Sequence, residues 1–353
     1  MISYTRSARE IFIHVAKALL QQKPQDHFDN ILLTAGIGWK GRIRGLPSWV
    51  TDWTELPEAL LGGFTHKPYD VEPRGSFRAT CSAQSSLLYV YNTELFDTIA
   101  AITCEIDHDS WKDSDWYSSQ APWFNQLCNI VQDQLSVLRE DQLDDNGFYS
   151  RDYRRCPGRW RGAICRTLLA IPDSYWGQVP GYGGARTFIR PDELTEEQLS
   201  NWISGEGKSP WYHEPFGRRA KDDKLYEALE FLSQLSRLQN QIKQPNDIAS
   251  RLVERGIRFL QKCRPHTQGR RFALTSTGCM CLVPPKAKVG DKIAVITGVN
   301  LPLVLRESFE RPCTVSENYN VYQLVGNCFA FGLMFGIGYF EREMDTVKTV
   351  VLK

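Results

Sequence analysis

Apolar residues near the N-terminus recur at helical spacing, three and four positions apart. They occupy residues 5–22, and Pro24 closes the run. The apolar positions are Ala8, Ile11, Phe12, Val15, Ala18 and Leu19. Residues at this spacing share one helix face, so the pattern predicts an amphipathic helix.

From residue 270 the pattern changes to short apolar runs separated by Gly, Pro or polar turns. Earlier runs at Phe77–Thr80, Leu87–Tyr91 and Phe96–Ile102 also favour strands. The C-terminal runs are Phe272–Thr275, Met280–Val283, Lys292–Thr297, Pro302–Leu305, Tyr319–Val325 and Phe329–Met334. Six short strands at this spacing predict a small barrel or a curled antiparallel sheet.

The middle of the chain alternates helical spacing with one long irregular stretch. Helical spacing recurs at 123–138, 163–170, 222–240 and 246–262, whereas Gly, Pro and aromatic residues crowd 171–220. Such a density of Gly and Pro excludes long regular elements there. Because long loops in compact proteins often act as lids, 171–220 is the candidate lid.

Together these patterns predict an α+β fold. Helical N-terminal and middle segments would pack on a C-terminal small β-barrel or curled antiparallel sheet. We expect residues 1–353 to form a single compact unit, which such a length permits. Its sub-regions are 1–104 with a Trp-rich motif, a helical 105–265, and a β-rich 266–353.

Composition and charge remove several classes of function. The formal net charge is +1, so nucleic acid is not expected as a partner, since phosphate binding requires a basic excess. No apolar run approaches the roughly 20 residues of a membrane span. The N-terminus does not resemble a signal peptide, and the ten cysteines form no CxxC pair. We therefore expect a cytoplasmic protein with reduced cysteines.

Familiar catalytic motifs fail on inspection. The run Gly181–Gly184 lacks both the Lys of a phosphate loop and the spacing of a dinucleotide fingerprint. The six His residues lie too far apart for a zinc motif. Cys279 and Cys281 would point to the same side of a strand, into a core, with no base beside them. We expect neither a metal nor a cofactor.

Two stretches carry a resemblance to a known family. Leu46–Trp53, reading LPSWVTDW, differs only at Thr51 from the LPSWVPDW motif of fungal heterokaryon-incompatibility (HET-type) proteins. Phe96–Ile99 resembles the strand that follows this motif in the family. The C-terminal landmarks of the family are matched, in the same order, by Gly269–Phe272, Gly278, Val283–Pro285, Gly290–Asp291, Gly298, Pro302–Arg306 and Leu324–Gly326.

The chain departs from that family in two ways. No segment matches the SYCWG or DAxCINQ motifs of the effector domain, so we expect that this chain cannot run the family's cell-death programme alone. In the closing motif the family carries His, Asp and Glu, whereas this chain has Phe331, Phe335 and Ile337. This loss of polarity marks either a repacked core or a dry cavity for an apolar ligand.

The cavity interpretation leads to one hypothesis about function. A cofactor-free cyclase of the Diels–Alderase type would fold an apolar, terpenoid-like substrate of fungal secondary metabolism for an intramolecular [4+2] addition. Candidate donors to a substrate carbonyl are Arg271, Arg306 or a Trp indole N–H. The candidate walls of the substrate site are Trp49, Trp53, Phe331, Phe335 and Tyr339.

The alternative comes from another class of protein. A non-enzymatic recognition or regulatory module, derived from a HET-type protein without its effector domain, would bind an effector protein. A large exposed interface favours this module, whereas a closed cavity favours the enzyme. The sequence leaves the substrate's identity and the oligomeric state open.

Overall fold

A computed structural model describes the N-terminal helix, the segment around residue 50 and most of the sheet. The described residues are 6–22, 31–39, 42–54, 78–82, 86–106, parts of 123–130, 167–168, 175–177, 187–189, 263–310, parts of 312–334, and 347–353. The elements are α1 (Ala8–Gln22), β1 (Ala79–Cys81), β2 (Leu88–Ile102), β3 (Tyr175–Gly177), β4 (Thr187–Ile189), β5 (Arg271–Thr275), β6 (Met280–Val283), β7 (Lys292–Ile296), β8 (Leu303–Glu307), β9 (Asn320–Asn327), β10 (Phe329–Ala330) and β11 (Val347–Leu352).

Helix α1 begins three residues later than the apolar spacing predicts, because a capping box fixes its start. The Ser7 backbone N–H and hydroxyl donate to the Glu10 carboxylate at 2.9 and 3.0 Å, and the Glu10 N–H donates to Ser7 Oγ at 3.3 Å. These bonds satisfy N–H groups that the first turn leaves without partners. The inner face of the helix then packs Phe12, Ala16 and Leu20 against the core.

Five strands close into a ring. Strand β2 pairs with β11, β11 with β9, β9 with β8, β8 with β7, and β7 returns to β2. Every pair in this ring is antiparallel except β11 with β9, which is parallel. The strand-rich C-terminal sheet is therefore as predicted, but its strands do not all run antiparallel.

The remaining strands of this sheet branch from β2. Strand β5 pairs with the C-terminal end of β2, β6 follows β5, and β10 follows β6. Strand β1 pairs with the N-terminal end of β2. Strand β2 thus contacts four other strands, and it holds the ring and the branch together.

Strand β2 is one strand of fifteen residues, whereas the polar break before Phe96 predicts two. The backbone of Asn92 adopts the left-handed region at φ 54°, and the pairing register shifts near Leu95 and near Ile99. Bulges of this kind bend a strand without ending it. The polar residues that suggested a turn therefore mark a bend.

The bounds of the other strands can be compared with those that the sequence pattern predicts. Strand β6 has the predicted bounds, and β5, β7, β8 and β9 differ from theirs by one or two residues at an end. Strand β10 ends early because Leu333 N–H donates to the Ala330 carbonyl at 3.1 Å and turns the chain. The strand Val347–Leu352, which completes the ring, was missed.

The middle of the chain is described only in part. Residues 123–130 are helical where described, and Trp123 Nε1 donates to Thr103 Oγ1 at 3.0 Å just beyond β2. Strands β3 and β4 form a short hairpin within the candidate lid 171–220. The predicted helices 222–240 and 246–262 lie outside the described residues. In the described parts of the chain, no helix is both long and apolar enough to cross a membrane.

The segment 35–39 lies directly on β9. Ile37 and Gly38 donate backbone N–H groups to the carbonyls of Leu324 and Val325, at 2.9 and 2.8 Å. A Cβ on Gly36, whose φ is 130°, would lie 2.3 Å from the Val325 carbonyl oxygen. No side chain fits at that distance, so this close contact requires glycine.

Candidate functional site

The Leu46–Trp53 motif joins three parts of the fold. Ser48 Oγ donates to the Lys353 carbonyl and accepts the Leu324 N–H at 2.9 Å, so it bridges β11 and β9. Trp49 is fully buried, and its Nε1 donates to the Ser86 carbonyl at 2.8 Å. Thr51, the one departure from the family's motif, donates to the Ile31 carbonyl at 3.1 Å. The motif holds the N-terminal segment on the sheet.

Arg42 and Asp52 fix the path of this motif. The Arg42 guanidinium donates to the carbonyls of Gly36, Pro47 and Val50. Burial lowers the pKa of Arg42 to about 10, against the attraction of Asp52. Burial alone would raise the pKa of Asp52, but hydrogen bonds from Thr54 and the Ile43 N–H hold it below its usual value. Both groups are charged near neutral pH, and their contacts orient backbone.

Trp53 differs from Trp49 in its surroundings. Its side chain is 36% exposed and lies edge-on to Phe12, with ring centroids 5.1 Å apart. Ile11 and Val15, one helical turn apart on α1, are 43% and 39% exposed. Trp53 therefore stands at the surface beside α1, whereas Trp49 belongs to the core.

Phe331, the described member of the apolar C-terminal trio, lies in the core. It is 7% exposed, and its N–H donates to the Met280 carbonyl at 2.8 Å. Its carbonyl accepts a hydrogen bond from Cys279 Sγ at 3.0 Å. Leu333 and Met334 pack in the same cluster. The predicted wall residues Phe335 and Tyr339, together with Ile337, lie outside the described residues.

Both candidate donor arginines bind acceptors of the protein. Arg271 Nε donates to the Thr103 carbonyl at 2.5 Å, and burial lowers the pKa of this guanidinium. Arg306 forms a two-pronged ion pair with Asp291, with both N–O distances 2.8 Å. Such paired hydrogen bonds are among the strongest in proteins. A catalytic role for either arginine stays a prediction.

The neighbouring Arg270 is the buried arginine that sequence reasoning missed. Its guanidinium is fully buried, donates to the carbonyl and Oδ1 of Asn327 at 3.1 and 2.6 Å, and lies 5.1 Å from the centre of the Trp39 ring. A Cβ on Gly326 would lie 3.0 Å from the same indole, so the glycine of the Leu-Val-Gly landmark makes room for Trp39. Arg270 and Gly326, which belong to two of the family-like landmarks, therefore lie against the same Trp39 ring.

Three of the buried cysteines, Cys279, Cys281 and Cys328, belong to the hydrophobic core. Cys279 and Cys281 place their sulfur atoms 4.0 Å apart, and both side chains are buried as predicted. The hydrogen bond to Cys279, followed by burial, raises the pKa of the Cys281 thiol, and burial raises that of Cys328. Thiols with raised pKa values stay protonated at neutral pH, so Cys281 and Cys328 are poor nucleophiles. Within the described ranges, no three His, Cys, Asp or Glu side chains are grouped to hold a metal ion.

An open recess lies beside the Leu46–Trp53 motif. Its volume is about 350 Å³. It is lined by Arg9, Ile37, Gly45, Leu46, Pro47, Ser48, Ser86, Leu87, Pro312, Gln323 and Lys353. None of the predicted site residues that the structure describes lines this recess, and the motif contributes only Leu46, Pro47 and Ser48 to it. No catalytic motif in the sequence pointed to this place.

Comparison with known proteins gives one match. No curated protein and no solved structure matches the chain. Residues 246–343 match the family model of the Het-6 beta-barrel domain. The matched stretch contains β5 to β10, whereas β2 and β11 lie outside it. The chain is thus similar to the Het-6 beta-barrel domain over residues 246–343, which supports the resemblance to heterokaryon-incompatibility proteins that its landmarks carry.

Proposed function

We propose that this chain is a non-enzymatic recognition or regulatory module of the heterokaryon-incompatibility type, whose partner is a protein that carries an incompatibility effector domain. The match of residues 246–343 to the Het-6 beta-barrel domain is the observation that carries this proposal. A fold and a family match do not by themselves fix an activity, so the described geometry has to agree with it.

The charged groups of the sheet agree with a recognition role. Arg271, Arg306 and Asp97 all form hydrogen bonds that hold turns or neighbouring strands. Trp49 and Phe331 are buried in the core. These charged and aromatic side chains therefore stabilise the sheet itself. This agrees with a module that binds a partner protein at its surface.

The surface beside α1 supplies a place for a partner. Ile11, Val15 and Trp53 are exposed apolar side chains, and the Phe12 ring on α1 packs edge-on against Trp53. Tryptophan is enriched among the residues that dominate protein–protein binding. We assign the contact with the effector-domain protein to this surface.

The test measures binding between the purified chain and a purified HET-type effector domain by isothermal titration calorimetry. We expect a complex that Trp53→Ser weakens at least about tenfold, because truncating an interface tryptophan costs more than about 1.4 kcal/mol. Val289→Ser is the matched control, since Val289 is an exposed apolar residue in the turn between β6 and β7. Equal weakening by both variants would contradict the assigned surface.

The cyclase hypothesis provides the outcome that opposes this proposal. Neither the family match nor the described placement of Trp49 and Phe331 supports it. The purified chain is incubated with a terpenoid-like diene–dienophile substrate, and the rate and stereochemical ratio are compared with buffer. Acceleration by the protein, with a changed product ratio, would show that the chain is an enzyme and that a purely non-enzymatic module is wrong.

A further inference from the structure

The recess beside the Leu46–Trp53 motif has an uneven distribution of charge. Arg9 and Lys353 are cationic, and among the residues that the structure describes no Asp or Glu side chain lines it. Lys353 Nζ already pairs with the Glu310 carboxylate at 3.0 Å. Of the two described cations in the lining, Arg9 is therefore the one whose charge is available to a ligand.

Arg9 is held in place at the recess by one of its five N–H groups. Its Nε donates to the Gly45 carbonyl at 2.7 Å, which fixes the guanidinium beside the lining backbone. Among the described residues, its two terminal nitrogens meet no hydrogen-bond acceptor. A guanidinium fork with both terminal nitrogens available is suited to binding a carboxylate through two parallel hydrogen bonds.

Two neutral polar side chains extend this donor set. Gln323 on β9 and Ser86 before β2 both line the recess and are partly exposed. The carbonyl of Ser86 accepts the Trp49 indole N–H, whereas the Ser86 hydroxyl and the Gln323 amide bind no side chain or backbone of the described residues. The recess is thus bordered by three hydrogen-bond donors: the charged Arg9 guanidinium, the Ser86 hydroxyl and the Gln323 amide.

Much of the remaining lining is apolar. Ile37, Leu46, Pro47, Leu87 and Pro312 contribute to the walls. At about 350 Å³ the recess falls at the small end of the range for ligand sites, about 300–1,000 Å³. A compact ligand with one anionic end and one apolar end satisfies both parts of this lining.

We infer that the recess is a binding site for a carboxylate attached to a compact apolar group, with Arg9 as the residue that binds the carboxylate. The same chemistry occurs in a free organic acid and in an acidic peptide with a flanking apolar side chain. The inference rests on the recess alone and does not require the proposed partner surface on α1.

The first measurement compares three probes by isothermal titration calorimetry with the full chain. They are 4-phenylbutyrate, its neutral amide 4-phenylbutyramide, and the peptide acetyl-Leu-Glu-Leu-amide. We expect at least one carboxylate probe to bind, and 4-phenylbutyramide to bind at least about tenfold more weakly than 4-phenylbutyrate when that acid binds, since the amide cannot form charged hydrogen bonds with the guanidinium. Binding of the acid or of the peptide identifies the source of the carboxylate.

Variants then place the binding site. Arg9→Gln removes the cation, and Gln323→Glu adds a negative charge to the recess with little change in size. We expect each variant to weaken the bound carboxylate probe at least about tenfold. Lys288→Gln is the matched control, because Lys288 is an exposed cation outside the recess. Thermal unfolding of each variant checks that the fold is intact.

Two results would overturn the inference. One is the absence of binding by both carboxylate probes to the wild-type chain. The other is equal affinity of folded Arg9→Gln and wild-type protein for the probe that binds. Because these probes contain no effector domain, a negative result here leaves the α1 surface to its own test.

Discussion

Single carboxylates hold the turns of the sheet. Asp97 accepts hydrogen bonds from Ser276 Oγ and from the Thr277 N–H and hydroxyl, which fixes the turn between β5 and β6. Burial alone would raise the pKa of Asp97, but these bonds outweigh it and hold the pKa below its ordinary value of 3.8. The ionised carboxylate therefore favours the folded state.

This shift gives a pH-dependent prediction. Since the folded-state pKa of Asp97 lies below the unfolded one, its contribution is full above about pH 5 and is lost as the pH falls through the folded-state value. We expect Asp97→Asn to lower the free energy of unfolding by about 1–3 kcal/mol at pH 7, and to lose less stability than wild type on acidification. Urea unfolding at several pH values measures both.

Glu307→Gln serves as the control for that experiment, because Glu307 is an exposed carboxylate on β8. We expect its free energy of unfolding at pH 7 to lie within about 0.5 kcal/mol of wild type. If Asp97→Asn keeps the full acid sensitivity of the wild type, the hydrogen bonds at the β5–β6 turn do not set that carboxylate's pKa.

The Asp291–Arg306 pair provides a second prediction. Asp291 is 4% exposed in its side chain, and it also accepts the Lys288 N–H at 2.8 Å. We expect Asp291→Asn and Arg306→Gln each to cost about 1.5–3 kcal/mol of stability, with a coupling of about 0.5–3 kcal/mol in the double variant. Chemical denaturation of all four proteins gives this cycle.

Arg306→Lys refines the same cycle. It keeps the positive charge but cannot place two parallel N–H groups on one carboxylate. We expect it to recover only part of the lost stability. If the two single costs add strictly in the double variant, Asp291 and Arg306 have no energetic coupling. Arg306 would then act outside this pair.

At the scale of elements, β11 determines whether the ring closes. It pairs with β2 on one side and with β9 on the other. Val351 is fully buried in a small cluster with Leu87, Val315 and Val321. A substitution at Val351 therefore tests whether β11 is needed to close the ring, without shortening the chain.

We predict that Val351→Asp lowers the free energy of unfolding by about 3 kcal/mol or more, because it buries a carboxylate without a partner. Lys348→Asp on the same strand is the control, since Lys348 is exposed. The loss is measured by urea denaturation followed by circular dichroism. Similar losses for both variants would mean that the cost comes from added negative charge and not from burial.

The elements also show what local patterns predict and what they miss. The apolar spacing predicted α1, and turns at Gly290 and Gly298 divided the C-terminal strands correctly. Strand β2 was divided wrongly because Asn92 has the residue type of a turn but occupies a bend. The place of β11 beside β9 depends on pairing between distant segments, which period-2 alternation does not encode.

The candidate site follows the same rule. Sequence alone nominated Arg271, but it does not reveal which of two adjacent arginines turns inward, and the fully buried one is Arg270. The recess combines Arg9 of α1, Ser86 from the segment before β2, and Gln323 of β9. None of these residues belongs to a motif, so only the fold brings them together.

At the scale of the whole molecule, β2 is the central element of the main sheet. It is hydrogen-bonded to β1, β5, β7 and β11 along its fifteen residues. A strand with partners on both sides exposes its amides only when a large part of the structure opens. Stability is therefore expected to be highest along β2.

This expectation is tested by native-state hydrogen exchange with peptide-level mass spectrometry. We predict that the paired amides of residues 88–102 exchange more slowly than those of α1, whose outer face is exposed. Exchange at α1 that is as slow as at β2 would contradict a hierarchy in which the sheet is the most stable unit.

The partners of β2 also constrain how the protein is made in the cell. Residues near 90 pair with residues near 350, so the first long strand cannot pair with β11 until residues 347–352 have been synthesised. Contacts between such distant segments slow folding and leave strand edges open to aggregation. We therefore expect ring closure to follow the emergence of residue 352 from the ribosome, and nascent chains that stall before residue 347 to be substrates for chaperones.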